Sequence, residues 1–250
     1  MVYLYIAIFI LLSYLVGSIP YGLIVGKIAK GIDIREHGSK NIGTTNAVRV
    51  LGTNLGLLVF LLDFLKGALI IWFLQILKLT SNFDLIFLNN LDISVFYALG
   101  AILGHMFPIF ASFKGGKAVA TGVGAIVAIN PICGLCALLT FVIVLFLSGF
   151  SSLGSILASI SALFFLIFNI AFFQENTNEA WFTNSLSLVF IGLIVLLIVL
   201  RHRSNIIRLI KGEEKRFNIG LGKFFNNKKE KILTKKDGIV TVFIPKNKTS

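Results

Sequence analysis

The chain alternates long apolar runs with short polar segments. Met1 to Gly26 carries no charged side chain, nor does Ala180 to Leu200. Each run is long enough to cross about 30 Å of hydrocarbon as a helix. Ala118 to Gln174 is uncharged throughout, enough for two or three more helices. Apolar runs and breakers predict seven spans, at roughly 2–25, 54–77, 93–110, 117–129, 132–148, 152–173 and 182–200. The fourth is short and is parted from the fifth at Asn130-Pro131, an expected helix boundary. A single kinked span is the alternative there. The expected fold is an all-α integral membrane protein, a polytopic helix bundle of about seven transmembrane helices.

Composition sharpens this picture. The 250 residues are 56% hydrophobic and 14% charged, with a mean hydropathy of +0.91, whereas soluble domains keep about a quarter of their residues charged. Met1-Val2-Tyr3 offers no basic start and no small-residue cleavage site follows, so the first run reads as a span rather than a cleaved signal. Cys133 and Cys136 are spaced C-x-x-C, but no second pair or nearby histidine accompanies them, and core packing is the expected role.

Charge placement orients the bundle. Lys27, Lys30, Arg35, Lys40 and Arg49 follow the first span, and Lys114 and Lys117 follow the third. Arg201, Arg203, Arg208 and a lysine-rich tail follow the last. The opposite connections hold Asp84, Asp92, Glu175 and Glu179. Lysine and arginine collect on the cytoplasmic side, so the N-terminus is expected outside and the C-terminus in the cytoplasm. Most of the net charge of +12 lies in the tail. Residues 1–214 then form a membrane-embedded domain, and 215–250 a solvated basic extension drawn to anionic lipid or serving solubility. No aromatic-interleaved basic motif points to nucleic acid.

Candidate chemistry sits at the ends of the spans. Lys114-Gly115-Gly116-Lys117 places two lysines around a glycine pair before an uncharged helical run. Successive glycines let backbone N–H groups converge on an anion, and a helix N-terminus adds positive potential. This pattern predicts a phosphate site; a loop that only fixes topology is the alternative. A second cluster, Gly38-Ser39-Lys40-Asn41-Ile42-Gly43-Thr44-Thr45-Asn46, has the composition of a ligand-lining loop, although Thr45 or Asn46 could instead cap a helix. In the third cluster His202 and Asn205 are three apart at a helix exit and face the same way; anchoring at the headgroup interface is the alternative. Within the membrane, Asp63 and Lys66 share a helix face and are expected to pair. Gly52-x-x-x-Gly56 and Gly100-x-x-x-Gly104 predict close helix approach.

In combination and in order, over about residues 1–216, these clusters resemble the bacterial acyl-phosphate-dependent glycerol-3-phosphate acyltransferases. The first family motif resembles Gly38 to Asn46 and on through Arg49. The glycine-rich phosphate motif resembles Lys114-Gly115-Gly116-Lys117 to Thr121, and the third resembles His202, Asn205, Arg208 and Glu214. Two departures stand out: family members usually carry glycine where this chain has Lys40 and Ala118.

The resemblance implies transfer of a fatty acyl group from a long-chain acyl phosphate to glycerol 3-phosphate, giving lysophosphatidate and phosphate at the cytoplasmic face of the cell membrane. Its partners are then those two substrates and membrane lipid, with no cofactor, no metal and no protein partner implied. Lys117, Gly115 and Gly116 are assigned to phosphate binding, with Lys114 at the same loop and Arg49 as a second clamp. Ser39, Thr45 and Asn205 are expected to orient substrate oxygens, with Asn41 and Asn46 from the same loop. His202 is the best-placed proton acceptor, because an unperturbed imidazole titrates near neutrality; a hydrogen-bonding role, with substrate phosphate taking the proton, is the alternative. Ser152 is a further candidate for the acyl-phosphate site. Glu214 is expected near substrate, bracing the third motif through a basic neighbour.

Two rival readings fit the sequence less well. The H-x-x-x-x-D motif of another acyltransferase class is absent, since Ile42, Phe110 and Ile207 stand five residues after His37, His105 and His202. A small anion transporter would place its polar groups at the bilayer midplane, where only Asp63 and Lys66 fall.

Overall fold

The computed structural model describes residues 1–81, 84–88, 91–173 and 185–217. Glu175, Glu179, the first residues of the seventh expected span and the tail beyond 217 lie outside the described residues. The described helices are α1 (Val2–Gly17), α2 (Tyr21–Lys30), α3 (Thr44–Leu51), α4 (Thr53–Ser81), α5 (Ser94–Met106), α6 (Val119–Ile129), α7 (Pro131–Ser148), α8 (Ser151–Phe173), α9 (Ser185–Arg201) and α10 (Arg203–Ile210). A two-residue antiparallel pair, β1 (Phe87–Leu88) and β2 (Leu91–Asp92), lies between α4 and α5 and is the one departure from an all-α chain among the described residues.

Five segments are long and apolar enough to cross a membrane: Val2–Lys30, Thr53–Ser81, Ser94–Ala111, Pro131–Ser148 and Ser151–Asn169. Leu188–Arg201 and the polar α10 qualify together as a sixth, bent by 56°; the apolar part is α9, and His202 stands at its exit. The chain is a polytopic helical membrane protein. The expected span 117–129 is present only as α6, whose 11 residues rise about 16 Å, half the hydrocarbon thickness. Ala118, in the left-handed conformation at φ 58°, stops it at one end and Asn130-Pro131 at the other.

Local chemistry explains the breaks. Pro20 lacks an N–H and holds Ile19 out of the helical region, so the expected continuous span 2–25 is interrupted at Ser18-Ile19-Pro20. Asn130 caps α7, its Oδ1 accepting from the Cys133 N–H at 3.0 Å, with Pro131 in the first turn. Gly134 lies against the Val127 backbone. Helix α7 therefore turns back along α6, two antiparallel segments rather than one kinked span.

Small residues set the packing. Gly17 meets the backbone of Ala101 and Gly104 that of Tyr14, joining α1 to α5. Gly67 on Thr121 and Gly124 on Phe64 join α4 to α6. Of the Gly52-x-x-x-Gly56 pair only Gly56 packs, against Val48; Gly52 has φ +94° and reverses the chain between α3 and α4. Ala68, Ile71, Leu74, Tyr97, Ala128 and Leu166 belong to the main core across α4, α5, α6 and α8. Several serine hydroxyls inside the spans return to carbonyls one turn back, as from Ser13 to Phe9 and Ser159 to Ser155, and so are satisfied within hydrocarbon. Asp63 and Lys66 pair at 2.8 Å with both side chains buried. Cys133 and Cys136 are free thiols on α7.

Candidate functional site

The loop between α2 and α3 is folded around one amide. Asn46 Nδ2 donates to the carbonyls of Ile34 (2.8 Å), His37 (3.2 Å) and Asn41 (2.8 Å), and its Oδ1 accepts from the Ser39 N–H (2.7 Å). Asn41 Oδ1 in turn accepts from the Gly43 N–H at 2.8 Å. Both asparagines were expected to bind substrate. Asn46 builds the loop, being 1% exposed with its polar atoms engaged, while Asn41 gives the loop one acceptor through Oδ1. Neither Thr45 nor Asn46 caps α3, which starts after Gly43 without a side-chain cap. Arg35 is paired with Asp33 at 2.6 Å. Ser39 is exposed. Thr45 and Arg49, one turn apart on α3, share a face.

The glycine–lysine loop is tucked under the end of α5. The Gly116 N–H donates to the His105 carbonyl at 3.0 Å. A Cβ at Gly115 would strike the His105 and Met106 carbonyls, and one at Gly116 the His105 ring. These glycines therefore serve close packing, and the expected convergence of successive N–H groups on an anion is not formed at Gly116. Arg201, read from the sequence only as a topology charge, straps the loop. Its guanidinium donates to the carbonyls of Met106 (2.8 Å) and Gly116 (3.1 and 3.3 Å) and lies over the Phe107 ring. Lys114 is exposed at the rim.

Lys117 points the other way, its Nζ donating to Asn205 Oδ1 across 88 positions of sequence. Burial first, then Arg208, Arg49 and Arg201, pull its pKa down to about 8 against the opposing pull of Glu214. Glu214 is the brace of this corner. Its Oε1 accepts from Asn205 Nδ2 (2.7 Å) and Ser152 Oγ (2.9 Å), and its Oε2 from Arg208 Nε (2.7 Å). Burial would raise its pKa, yet these bonds outweigh burial and hold the carboxyl below its ordinary value. Ser152 and Glu214, expected to touch substrate, are thus engaged with each other.

His202 is buried, with Nδ1 2.8 Å from the Ile198 carbonyl. That bond places the ring proton on Nδ1 and leaves Nε2 an acceptor. Burial, then Lys117, depress its pKa to about 4. The near-neutral imidazole expected from the sequence is therefore a neutral, weakly basic one. Arg49 donates to the Lys215 carbonyl at 3.1 Å and stacks on Phe217, whose N–H reaches the Gly149 carbonyl at 2.7 Å. The Lys215 carbonyl and Phe217 are thus tied to the bundle, while the Lys215 residue itself is exposed.

Lys117, Asn205, His202, Glu214, Ser152, Arg208 and Arg49 thus converge on one corner, with Ser39 and Asn41 on the neighbouring loop and Thr45 in the first turn of α3. The corner joins several cations to one engaged carboxylate, the chemistry of an anion site. A family model for glycerol-3-phosphate acyltransferase matches residues 7–212. The chain belongs to that family. A glycerol-3-phosphate acyltransferase of Acholeplasma laidlawii is 45% identical over 216 residues, covering 84% of this chain and 92% of the relative. One of Bacillus subtilis (strain 168) is 43% identical over 210 residues, covering 84% and 96%. The crystal structure of PlsY (YgiH), an integral membrane glycerol 3-phosphate acyltransferase, in its glycerol 3-phosphate form matches with a TM-score of 0.71 at 36% identity, covering 88% of this chain and 98% of that one. Its lysophosphatidic acid form matches at 0.68. The family match ends at residue 212, before the basic tail.

Lys40 and Ala118, where the resemblance leads one to expect glycine, share a backbone feature. Lys40 (φ 59°) and Ala118 (φ 58°) both adopt the left-handed conformation, which costs a residue with a Cβ about 1–2 kcal/mol and glycine nothing comparable.

Proposed function

We propose that this chain moves a fatty acyl group from acyl phosphate to the 1-hydroxyl of glycerol 3-phosphate, giving lysophosphatidate and inorganic phosphate for phospholipid synthesis. The observation that carries the reading is Lys117, a half-buried ammonium under the influence of three arginines and one fully engaged carboxylate. Such a corner is stabilised by a bound phosphate. Family membership, and a structural neighbour solved with glycerol 3-phosphate, support the same substrate.

A narrow apolar crease begins at Val119, two residues past Lys117, and runs between α6, α7, α8 and α9. Gly122, Ala158 and Ala162 leave the room, and Ile198, which holds His202, closes one wall. In this reading the donor's chain follows that crease towards the bilayer, which favours a lipid-linked donor over a transported solute.

Acyl phosphate is a mixed anhydride with a good leaving group, so no covalent enzyme intermediate is needed. The glycerol hydroxyl attacks the acyl carbon, the bond from that carbon to the phosphate oxygen breaks, and Lys117 and Arg49 neutralise the departing phosphate. His202 Nε2 accepts the hydroxyl's hydrogen bond and orients it. A phosphate oxygen, with a second pKa of about 6, is a better proton acceptor than this depressed imidazole. Asn205, Ser39 and Thr45 orient substrate oxygens, with Lys114 at the rim.

The site faces the cytoplasm in this reading, with the N-terminus outside, α6 counted as a short seventh crossing and the C-terminus inside. Residues 1–214 form the catalytic unit in the cell membrane, and 215–250 a basic extension tied to it at the Lys215 carbonyl and Phe217. The experiment is acyl transfer by the purified protein in lipid, with radiolabelled glycerol 3-phosphate and acyl phosphate or acyl-CoA in parallel. Lysophosphatidate is expected with acyl phosphate alone; product from acyl-CoA overturns the donor, and product from neither overturns the enzyme reading.

A further inference from the structure

The buried charges of the bundle are not part of the anion corner, yet they reach it. Asp63, Lys66 and His105 are 1%, 3% and 4% exposed. Lys66 Nζ pairs with Asp63 Oδ1 at 2.8 Å and donates to the Ile19 carbonyl, also at 2.8 Å, at the break between α1 and α2. His105 Nδ1 faces the same carboxylate oxygen at 3.6 Å and makes no hydrogen bond of its own. The opposite edge of the ring, at Nε2, lies against Gly116 so closely that a Cβ there would not fit. The His105 carbonyl also accepts the Gly116 N–H at 3.0 Å. His105 therefore grips Gly116 by ring and backbone at once, while Arg201 holds the Gly116 carbonyl. The next residue is Lys117.

We propose that Asp63, Lys66 and His105 are positioning residues for the glycine–lysine loop, with the ion pair fixing the imidazole and the imidazole fixing the loop from which Lys117 reaches phosphate. A brace between helices alone does not require these groups, because an apolar substitute of similar volume stabilises a bundle as well as a buried ion pair does. What an apolar substitute does not supply is a carboxylate 3.6 Å behind Nδ1, on the side of the ring away from Gly116.

The proposal rests on Lys117 as the phosphate ligand, so binding and turnover are measured separately. Inorganic phosphate binding is followed by calorimetry, and kcat, KM for glycerol 3-phosphate and the pH profile of kcat/KM by acyl transfer, all on the full chain in lipid. His105→Ala and Asp63→Asn are expected to weaken phosphate binding and raise KM together, each by about tenfold, the scale of coupling between residues in contact. The basic limb of the pH profile moves upward as the loosened ammonium regains solvent. His105→Asn, which keeps a donor beside Asp63, recovers part of the loss. Phosphate affinity and basic limb at wild-type values, with only a lower melting temperature, overturn the proposal. Where a single variant does not fold, Gly116→Ala is compared alone and with His105→Asn. A smaller loss in the pair supports the ring-to-glycine contact, and independent losses overturn it. Wild-type protein that binds phosphate but transfers no acyl group refutes the proposed reaction and leaves the positioning test standing.

Discussion

Lys66 and Lys117 are both withdrawn from water, and the difference between their surroundings separates a closed charge from an open one. Lys66 has Asp63 at 2.8 Å and the Ile19 carbonyl at the same distance. One charge meets one charge, and the pair is closed. Lys117 has a neutral amide as its hydrogen-bond partner, and the carboxylate nearest to that amide is already held by Ser152 and Arg208. Arg49, Arg201 and Arg208 add further positive charge. The first lysine is neutralised by the fold. The second is neutralised only when an anion arrives, which is the electrostatic condition for a phosphate site.

Removing Lys117 tests this contrast hardest. Lys117→Ala is expected to lower kcat/KM about a thousandfold, the scale of one lost charge-stabilising donor, with KM for glycerol 3-phosphate raised. An unchanged KM would sink its role in binding that phosphate. On the closed side, Lys66→Met alone should cost about 3–5 kcal/mol of stability by leaving Asp63 buried and unpaired. The double change Asp63→Leu with Lys66→Met should restore most of it. Thermal unfolding in detergent reads both, and equal losses in single and double variants would show that the pair is not closed.

Glu214→Gln keeps an acceptor for Asn205 and Ser152 but removes the charge opposite Arg208, at a cost of about 1–3 kcal/mol. It also removes the carboxylate that supports the Lys117 ammonium. In the wild type, kcat/KM should hold while that ammonium is charged and fall as pH rises through about 8. In Glu214→Gln the limb should move to lower pH. Bound phosphate favours the charged amine, so the limb in kcat should lie higher than that in kcat/KM. A limb that ignores Glu214 would place the titrating group elsewhere. The smallest effect is at Lys40, where glycine should gain up to about 1 kcal/mol by relieving the left-handed strain. A lower melting temperature in Lys40→Gly would mean the lysine contributes something that its backbone does not show.

Much of the fold was legible because hydropathy and charge are local sums. The long apolar runs became helices, and Asn130-Pro131 became a boundary through a cap and a proline that a reader can see. The break at Pro20 was missed although the residue was visible, since the apolar run continues through it and only the backbone stops. The length of α6 was overestimated because Lys117 and Ala118 read as its first turn, while Ala118 is left-handed. At the site, the residue types that the sequence brings together are visible, and the bonds that their atoms make are not. Asn46, Ser152 and Glu214 look like ligands in a string of letters, and the fold engages their polar atoms internally. Arg201 and His105 carry no local signal for what they do.

The sequence by itself determined that this is a membrane bundle with three polar clusters at the ends of its spans. Partition into hydrocarbon and the placement of lysine and arginine depend on short stretches taken one at a time. Only the tertiary structure decided which charges remain open. It closed Lys66 on Asp63, brought Lys117 to Asn205 and Glu214, buried His202 as a neutral ring and set His105 behind Gly116. Lys117 depends on a partner 88 residues away, and even the one-turn pairs, Lys66 with Asp63 and His202 with Ile198, depend on burial by helices distant in sequence. A charge is free or neutralised according to the atoms within a few ångströms, whatever their distance in sequence.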